Sequence, residues 1–252
     1  MRLQVGKRVF APPAWGVALT LIALGVFGSL GNWQLGRARE KQALLAEFEA
    51  GSGESIDANG RGFGELARYQ HVRIDGSYDP VHQILIDNMP SPRDGRAGYR
   101  VLTPLHRADG RGWVLVDRGW VPLGATREDL PDVTVGSGPR DVTGMLDVLP
   151  IPGMRAGPAA APGDDRWPRV LLFPTAADVE SALGVAVESR IILLDAAAPD
   201  GFERQWRPAL GFGPERHLGY AIQWFAFALV AAVLFVSLNL RRVNAGEDSD
   251  PS

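Results

Sequence analysis

The 252-residue chain contains no cysteine, which excludes disulfides, zinc-thiolate sites, thiol catalysis and cofactor attachment through CxxCH in one step. Any metal would have to be held by histidine, methionine or carboxylate, and the redox compartment cannot be read from the sequence. Excess charge is also scarce. A net charge of −3 argues against nucleic acid as a partner. There is no G-x-S-x-G turn, no H-E-x-x-H helix and no apparent internal repeat. His71, His82 and His106 fall on different predicted strands and read as ordinary surface or packing histidines unless one sheet gathers them. Asp87, Asp117 and Asp195 each sit near a strand end, where carboxylates often serve turns. The chain is therefore not expected to be an enzyme.

What the chain does have is segregation: two long uncharged runs near its ends, with nearly all the charge between them or in the tails. After Arg2, Lys7 and Arg8 no charge appears until Arg37, and Ala14 to Leu35 is long enough to span a bilayer. A cleaved signal would have a shorter core and an A-x-A-like exit, so this run is expected to remain as an anchor. The second run is uncharged from His217 to Leu240; about 24 residues at 1.5 Å each give roughly 36 Å, enough for a ~30 Å hydrocarbon core. Arg216 and the pair Arg241 and Arg242 mark its ends. The expected organisation is a tail at 1–13, spans at 14–35 and 217–240, a large domain at 36–216 and a second tail at 241–252. Two spans place both tails on one side. Basic residues near the large domain outnumber those of the tails, but long loops translocate largely regardless of charge, so the short tails set the orientation: tails in the cytoplasm, domain outside.

The mouth of the second span carries His217, Tyr220 and Trp224 at i, i+3 and i+7, within about 60° on one helix face. An imidazole at a membrane surface can ligate a metal or a haem iron, and aromatic side chains beside it can stack on a flat macrocycle. The same residues also suit an aromatic interface belt. The exit of the first span, GNWQLGR, places Trp33 four residues before Arg37; these too could be a belt tryptophan and a snorkelling flank residue. Leu44, Leu45 and Phe48 continue a helical period, predicting a helix to about Glu49 before Gly51, Ser52 and Gly53.

Between the spans, short runs rich in β-branched residues predict strands near Tyr69–Gly76, Gln83–Asn88, Tyr99–His106, Trp113–Val121, Asp141–Leu149 and Ser189–Leu194, with a hairpin turn at Asp109-Gly110. The loop from Pro90 to Gly98 is rich in glycine and carries Arg93 and Arg96, with Arg100 just after; it could hold an anion but reads more simply as solvated, with no strand-to-helix phosphate motif beside it. Residues 150–168 contain five prolines and read as a long, mobile excursion. Thr175 is placed to cap a short helix through Leu183, with Gly184 as its stop. The expected fold class is two transmembrane α-helices, near the N- and C-termini, flanking a β-rich α+β extracytoplasmic domain.

Four pieces, in order along the chain, resemble the Surf1 (Shy1) family of cytochrome c oxidase assembly proteins in its bacterial form. They are GNWQLGR at Gly31–Arg37, the region from Gly76 to Leu105, WVLVDRGWVP at Trp113–Pro122, and HLGYAIQWFAFA at His217–Ala228. Within the proline-rich excursion only RWPRV, Arg166–Val170, follows the family. The resemblance implies a bacterial inner-membrane protein that aids maturation of a haem-copper oxidase catalytic subunit by handling haem a. Haem A synthase is a second implied partner, besides the lipid bilayer. On that reading His217 is the axial ligand to the haem iron. Trp33, Tyr220 and Trp224 form an aromatic wall in a groove between the spans, and Arg37 or Arg216 pairs with a propionate. Arg118 is expected to orient a turn, Gly119 to give backbone clearance, and Trp120 to pack or to meet the client subunit. The competing expectation is a membrane-anchored scaffold that holds assembly intermediates and binds no cofactor.

Overall fold

The structure, a computed structural model, describes residues 3–5, 8–51, 53–150, 166–208 and 210–242. Residues 151–165 of the expected excursion and 243–252 of the second tail lie outside the described residues. The chain divides into two units, Met1–Leu45 with Ala209–Ser252 and Ala46–Pro208. Its elements begin with β1 (Leu3–Val5), β2 (Arg8–Phe10) and α1 (Ala14–Gly51). There follow β3 (Ile56–Asp57), β4 (His71–Tyr78), β5 (Ile84–Pro90), β6 (Ala97–Arg107), β7 (Trp113–Pro122) and β8 (Pro139–Asp147). The last are β9 (Arg169–Leu171), α2 (Ala176–Leu183), β10 (Ile191–Leu194), α3 (Pro214–Asn239) and β11 (Leu240–Arg242).

In the first unit, α1 and α3 are long and apolar enough to cross a membrane. α3 opens with Gly213 as N-cap and Pro214 in its first turn, where a missing N–H costs nothing. The two helices run antiparallel, since Phe27 stacks on Trp224 while Gln34, farther along α1, meets His217, earlier in α3. Their seam is lined with small residues: Gly31, Ala38 and Ala221 are buried, and a Cβ added at Gly31 would come 2.8 Å from the Phe225 ring. Lipid tails offer no hydrophobic force between spans, so packing such as the Phe225 ring against Gly31, together with a hydrogen bond across the seam, is what holds such a pair. Short β1, β2 and β11 form a small antiparallel sheet in which Arg8 stands opposite Arg242, tying the start of α1 to the end of α3.

α1 continues without a break from its apolar stretch to Gly51, close to the helix end the leucine spacing predicts. It stops where an added Cβ at Gly51 would collide with the Tyr69 carbonyl.

In the second unit a ring of β4, β8, β10, β7 and β6 closes through pairing of β4 with β6, from Gly76 opposite Arg107 to Tyr78 opposite Leu105. At this corner Gly76 is required by crowding, because a Cβ there would lie 2.6 Å from the His106 carbonyl oxygen. β10 runs parallel to β7 and antiparallel to β8. β5 extends the sheet from β6, β9 adds in parallel to β5, and β3 lies beside β4. The core includes Phe63, Val72, Ile74, Tyr78, Leu105, Val114, Val116, Leu146, Ile192 and Leu194, and a second cluster gathers Leu85, Tyr99, Val101, Val121 and Val133. With apolar residues on both sides, β10 is buried throughout and β7 at all but its ends.

All six predicted strands are present, with shifted ends. Tyr69 takes φ 63°, a left-handed conformation that delays the start of β4 to His71. Asn88, at φ 59°, sits in a register shift between Ile86 and Met89, after which β5 runs on to Pro90. β8 begins at Pro139 and ends at Asp147, whose carboxylate accepts from the Val148 N–H. Thr175 and Asp178 form a reciprocal capping box on α2, and Gly184 ends it at φ 71°.

Candidate functional site

His217 is half-buried in the first turn of α3, and its Nδ1 lies 2.7 Å from Gln34 Oε1 across the seam. With its amide oxygen toward the ring, Gln34 accepts from Nδ1–H, and in the neutral imidazole that tautomer leaves the lone pair on Nε2. The seam thus contains an imidazole with its tautomer fixed from the other helix, the device by which proteins orient histidine ligands. The Phe212 ring stands edge-on to the imidazole with centroids 6.5 Å apart.

The other expected residues divide into two sets. At 100° per residue Trp33 and Arg37 lie about 100° and 60° to one side of Gln34, and Arg216 and Tyr220 about 100° and 60° to one side of His217. Antiparallel helices make these the same flank of the pair, opposite the one on which Phe225 meets Gly31. Along the axes, both arginines lie toward the start of α3 and both aromatics toward the apolar interior. Trp33 is 57% and Tyr220 44% exposed. Arg37 makes an ion pair with Glu40 at 2.7 Å, and Arg216 lies over the Phe212 ring at 4.5 Å. Trp224 departs from this flank. It sits in the seam, stacked on Phe27 at 5.9 Å and edge-on to Phe227, about 10 Å deeper than His217 by helical rise. Instead of an open groove, the seam at these levels holds a hydrogen bond and packed rings.

Sequence reasoning missed Gln34. The signal was an amide in a long uncharged run, where polar side chains bond across helices, but the flanking Trp33 and Arg37 drew the functional reading instead.

The RGW segment of β7 serves the second unit. Arg118 is 1% exposed, has no carboxylate partner among the described residues, and spends its guanidinium on carbonyls. Nε donates to Asp200 O at 2.6 Å and Nη1 to Val133 O at 2.8 Å and Gln83 Oε1 at 2.9 Å. It therefore ties two loops to the ring; burial draws its pKa below the usual arginine value. Gly119 takes φ 112°, and a Cβ there would meet Arg204 Cγ at 2.6 Å and Glu203 O at 2.7 Å. Trp120 is packed, donating from Nε1 to Met89 O at 2.9 Å.

The three remaining histidines are not brought together. His71 pairs with Asp195 at 2.7 Å, His82 with Asp79 at 2.6 Å, and His106 stands against Trp113. No cluster of three or more potential metal ligands occurs among the described residues. Of the carboxylates near strand ends, Asp87 pairs with Arg127, while Asp117 is fully buried against Arg100. Burial pushes the Asp117 carboxyl up, against the pull of Arg100.

Comparison with known proteins agrees with this architecture. The model of the SURF1 family matches residues 21–229, from within α1 to within α3. A SURF1-like protein of Monosiga brevicollis is 26% identical over 240 residues, covering 90% of this chain and 88% of the relative. One from Rickettsia felis is 25% identical over 226 residues, covering 86% and 94%, and one from Drosophila melanogaster is 28% identical over 259 residues, covering 94% and 81%. The chain belongs to the SURF1 family, generally known for cytochrome oxidase assembly factors rather than enzymes.

Proposed function

We propose that this protein is an assembly factor for a haem-copper terminal oxidase and that it carries haem a as cargo toward the catalytic subunit. The single observation that carries the reading is the His217–Gln34 contact, which leaves Nε2 as the nitrogen available to an iron. The residues fit such a cargo. His217 supplies the ligating nitrogen, Trp33 and Tyr220 give an apolar aromatic surface on one flank, and Arg37 and Arg216 stand at its polar end, where propionates would lie. Bound haem would contribute only an iron that accepts the imidazole lone pair.

This reading places the protein in a bacterial inner membrane with both tails cytoplasmic and Ala46–Pro208 outside. Support comes from the small sheet that joins both helix ends and carries Arg8, Arg241 and Arg242, the charge expected on the cytoplasmic side. The catalytic subunit and haem A synthase are the partners it requires.

A second reading is favoured by the exposure of Trp33 and Tyr220: the same flank suits docking against a client's helices with no cofactor between. Complementation separates the two. In a deletion strain that makes haem A, wild-type protein should restore the haem a content of the oxidase, and His217→Ala should not, although it inserts at normal level. Full restoration by His217→Ala would leave only the scaffold.

A further inference from the structure

The arginines in and just after the Pro90–Gly98 loop are already engaged: Arg96 with Asp94 at 2.7 Å, Arg93 with Glu203 at 3.8 Å, and Arg100 with the buried Asp117. Beside them lies a cavity of about 220 Å³ between the end of β5, β7 and the segment after β10. Met89, Pro90, Pro92, Trp120 and Trp206 wall it, and Arg100, Glu203 and Arg207 supply its charge. Its volume is below the ~300–1,000 Å³ of pockets for drug-sized ligands, so it fits one large side chain and excludes a macrocycle.

Both indoles have their polar edges satisfied elsewhere. Trp120 Nε1 donates to Met89 O, and Trp206 Nε1 to Leu194 O at 2.7 Å. Their apolar surfaces are thus what the cavity offers. Trp206 is further held by the Arg100 guanidinium, 4.8 Å from its ring. The walls are therefore pre-organised. Around them three guanidiniums (Arg93, Arg100, Arg207) face two carboxylates (Asp117, Glu203), an excess of one positive charge, and exposed Arg207 makes no ion pair or hydrogen bond among the described residues. The backbone of Gln205–Arg207, alongside, also makes no hydrogen bond among the described residues.

The geometry points to a docking pocket for an extended peptide segment of a partner protein, one that presents an apolar side chain next to a carboxylate. The side chain enters between the tryptophans, the carboxylate meets Arg207, and the main chain pairs with Gln205–Arg207. This site lies within the second unit and is independent of haem.

The test uses the full-length protein in detergent, with calorimetry and tryptophan fluorescence. The probes are Ac-Gly-Phe-Glu-Gly-NH2, its Gln analogue, its Ala-for-Phe analogue, and free 3-phenylpropionate. The Phe-Glu peptide should bind saturably, and each single-change analogue at least threefold more weakly. Arg207→Glu should weaken it at least tenfold, with unchanged melting temperature, and Arg207→Lys less than threefold. Absence of saturable binding, equal binding of the three peptides, or indifference to Arg207→Glu would overturn the proposal. So would 3-phenylpropionate binding as tightly as the peptide, which would make this a small-acid site.

Discussion

Arg118 offers the sharpest test of how the barrel is held. Replacing it with methionine keeps most of the volume and removes every guanidinium bond, so the cost depends on which acceptors are left without a donor. Val133 O keeps the Gln83 amide at 2.9 Å, and Gln83 Oε1 keeps the Thr103 hydroxyl at 2.9 Å. Asp200 O loses the 2.6 Å bond from Nε and has no other donor among the described residues; Thr134 O loses only a long contact of 3.4 Å. One orphaned buried carbonyl costs about 1–3 kcal/mol, and relief of the buried charge offsets part of the lost bonding, giving about 2 kcal/mol for Arg118→Met. Arg118→Ala adds a cavity and should cost about 4 kcal/mol. At about 2–4 °C per kcal/mol, the melting temperature of the sheet should fall by roughly 4–8 °C for Met and 8–16 °C for Ala. Infrared amide I melting of the detergent-solubilised protein isolates the sheet from the helices. An Ala variant that melts within about 2 °C of wild type would refute the role given to Arg118.

Gly119→Ala should cost about 3 kcal/mol, because it forces a side chain into a left-handed backbone and against the fixed carbonyl of Glu203; the same melting assay shows it. Thr175→Ala removes the cap of α2 and should cost about 1 kcal/mol, read as faster amide exchange in that helix. Acid should unfold the barrel through Asp79 and Asp109. Burial pushes both carboxyls up, but bonds from His82 and Val81 to the first, and from Arg107, Gly60 and Arg111 to the second, outweigh it and hold both below the usual value. Depressed carboxyls contribute stability that is present above the unfolded value of about 4 and is lost as pH falls through the folded one. Melting temperature should therefore drop below about pH 4, and Asp109→Asn should flatten the drop; an unchanged acid limb in that variant would contradict it.

The parts of this fold that announce themselves locally were legible. Two uncharged runs gave α1 and α3, short runs rich in β-branched residues gave the strands of the ring, and Thr175 with Gly184 marked α2. Non-local features were not. β3 has two residues and β9 three, too few to show a period, and β9 adds in parallel to β5, a strand distant in sequence. Closure of the ring depends on Gly76 passing close to the His106 carbonyl, a need that no residue pattern displays. Arg118 was seen, but its burial and its grip on two loops depend on tertiary placement. At the candidate site the sequence supplied His217 and the residues of one flank from helical spacing. Trp224 shares a helix face with His217, as its spacing gives, but spacing alone does not show that this face is the seam packed against Phe27. Gln34 was hidden because its meaning comes from a histidine 183 positions away.

The most direct measurement is the visible spectrum and extracted haem of the full-length protein purified from cells that make haem A, beside His217→Ala and Gln34→Leu. Haem a should accompany the wild type, be lost from His217→Ala, and be weakened with a shifted Soret band in Gln34→Leu. Equal haem a in the wild type and His217→Ala, or none in a folded wild type despite a confirmed haem A supply, would contradict the assignment of His217 as the cargo's ligand.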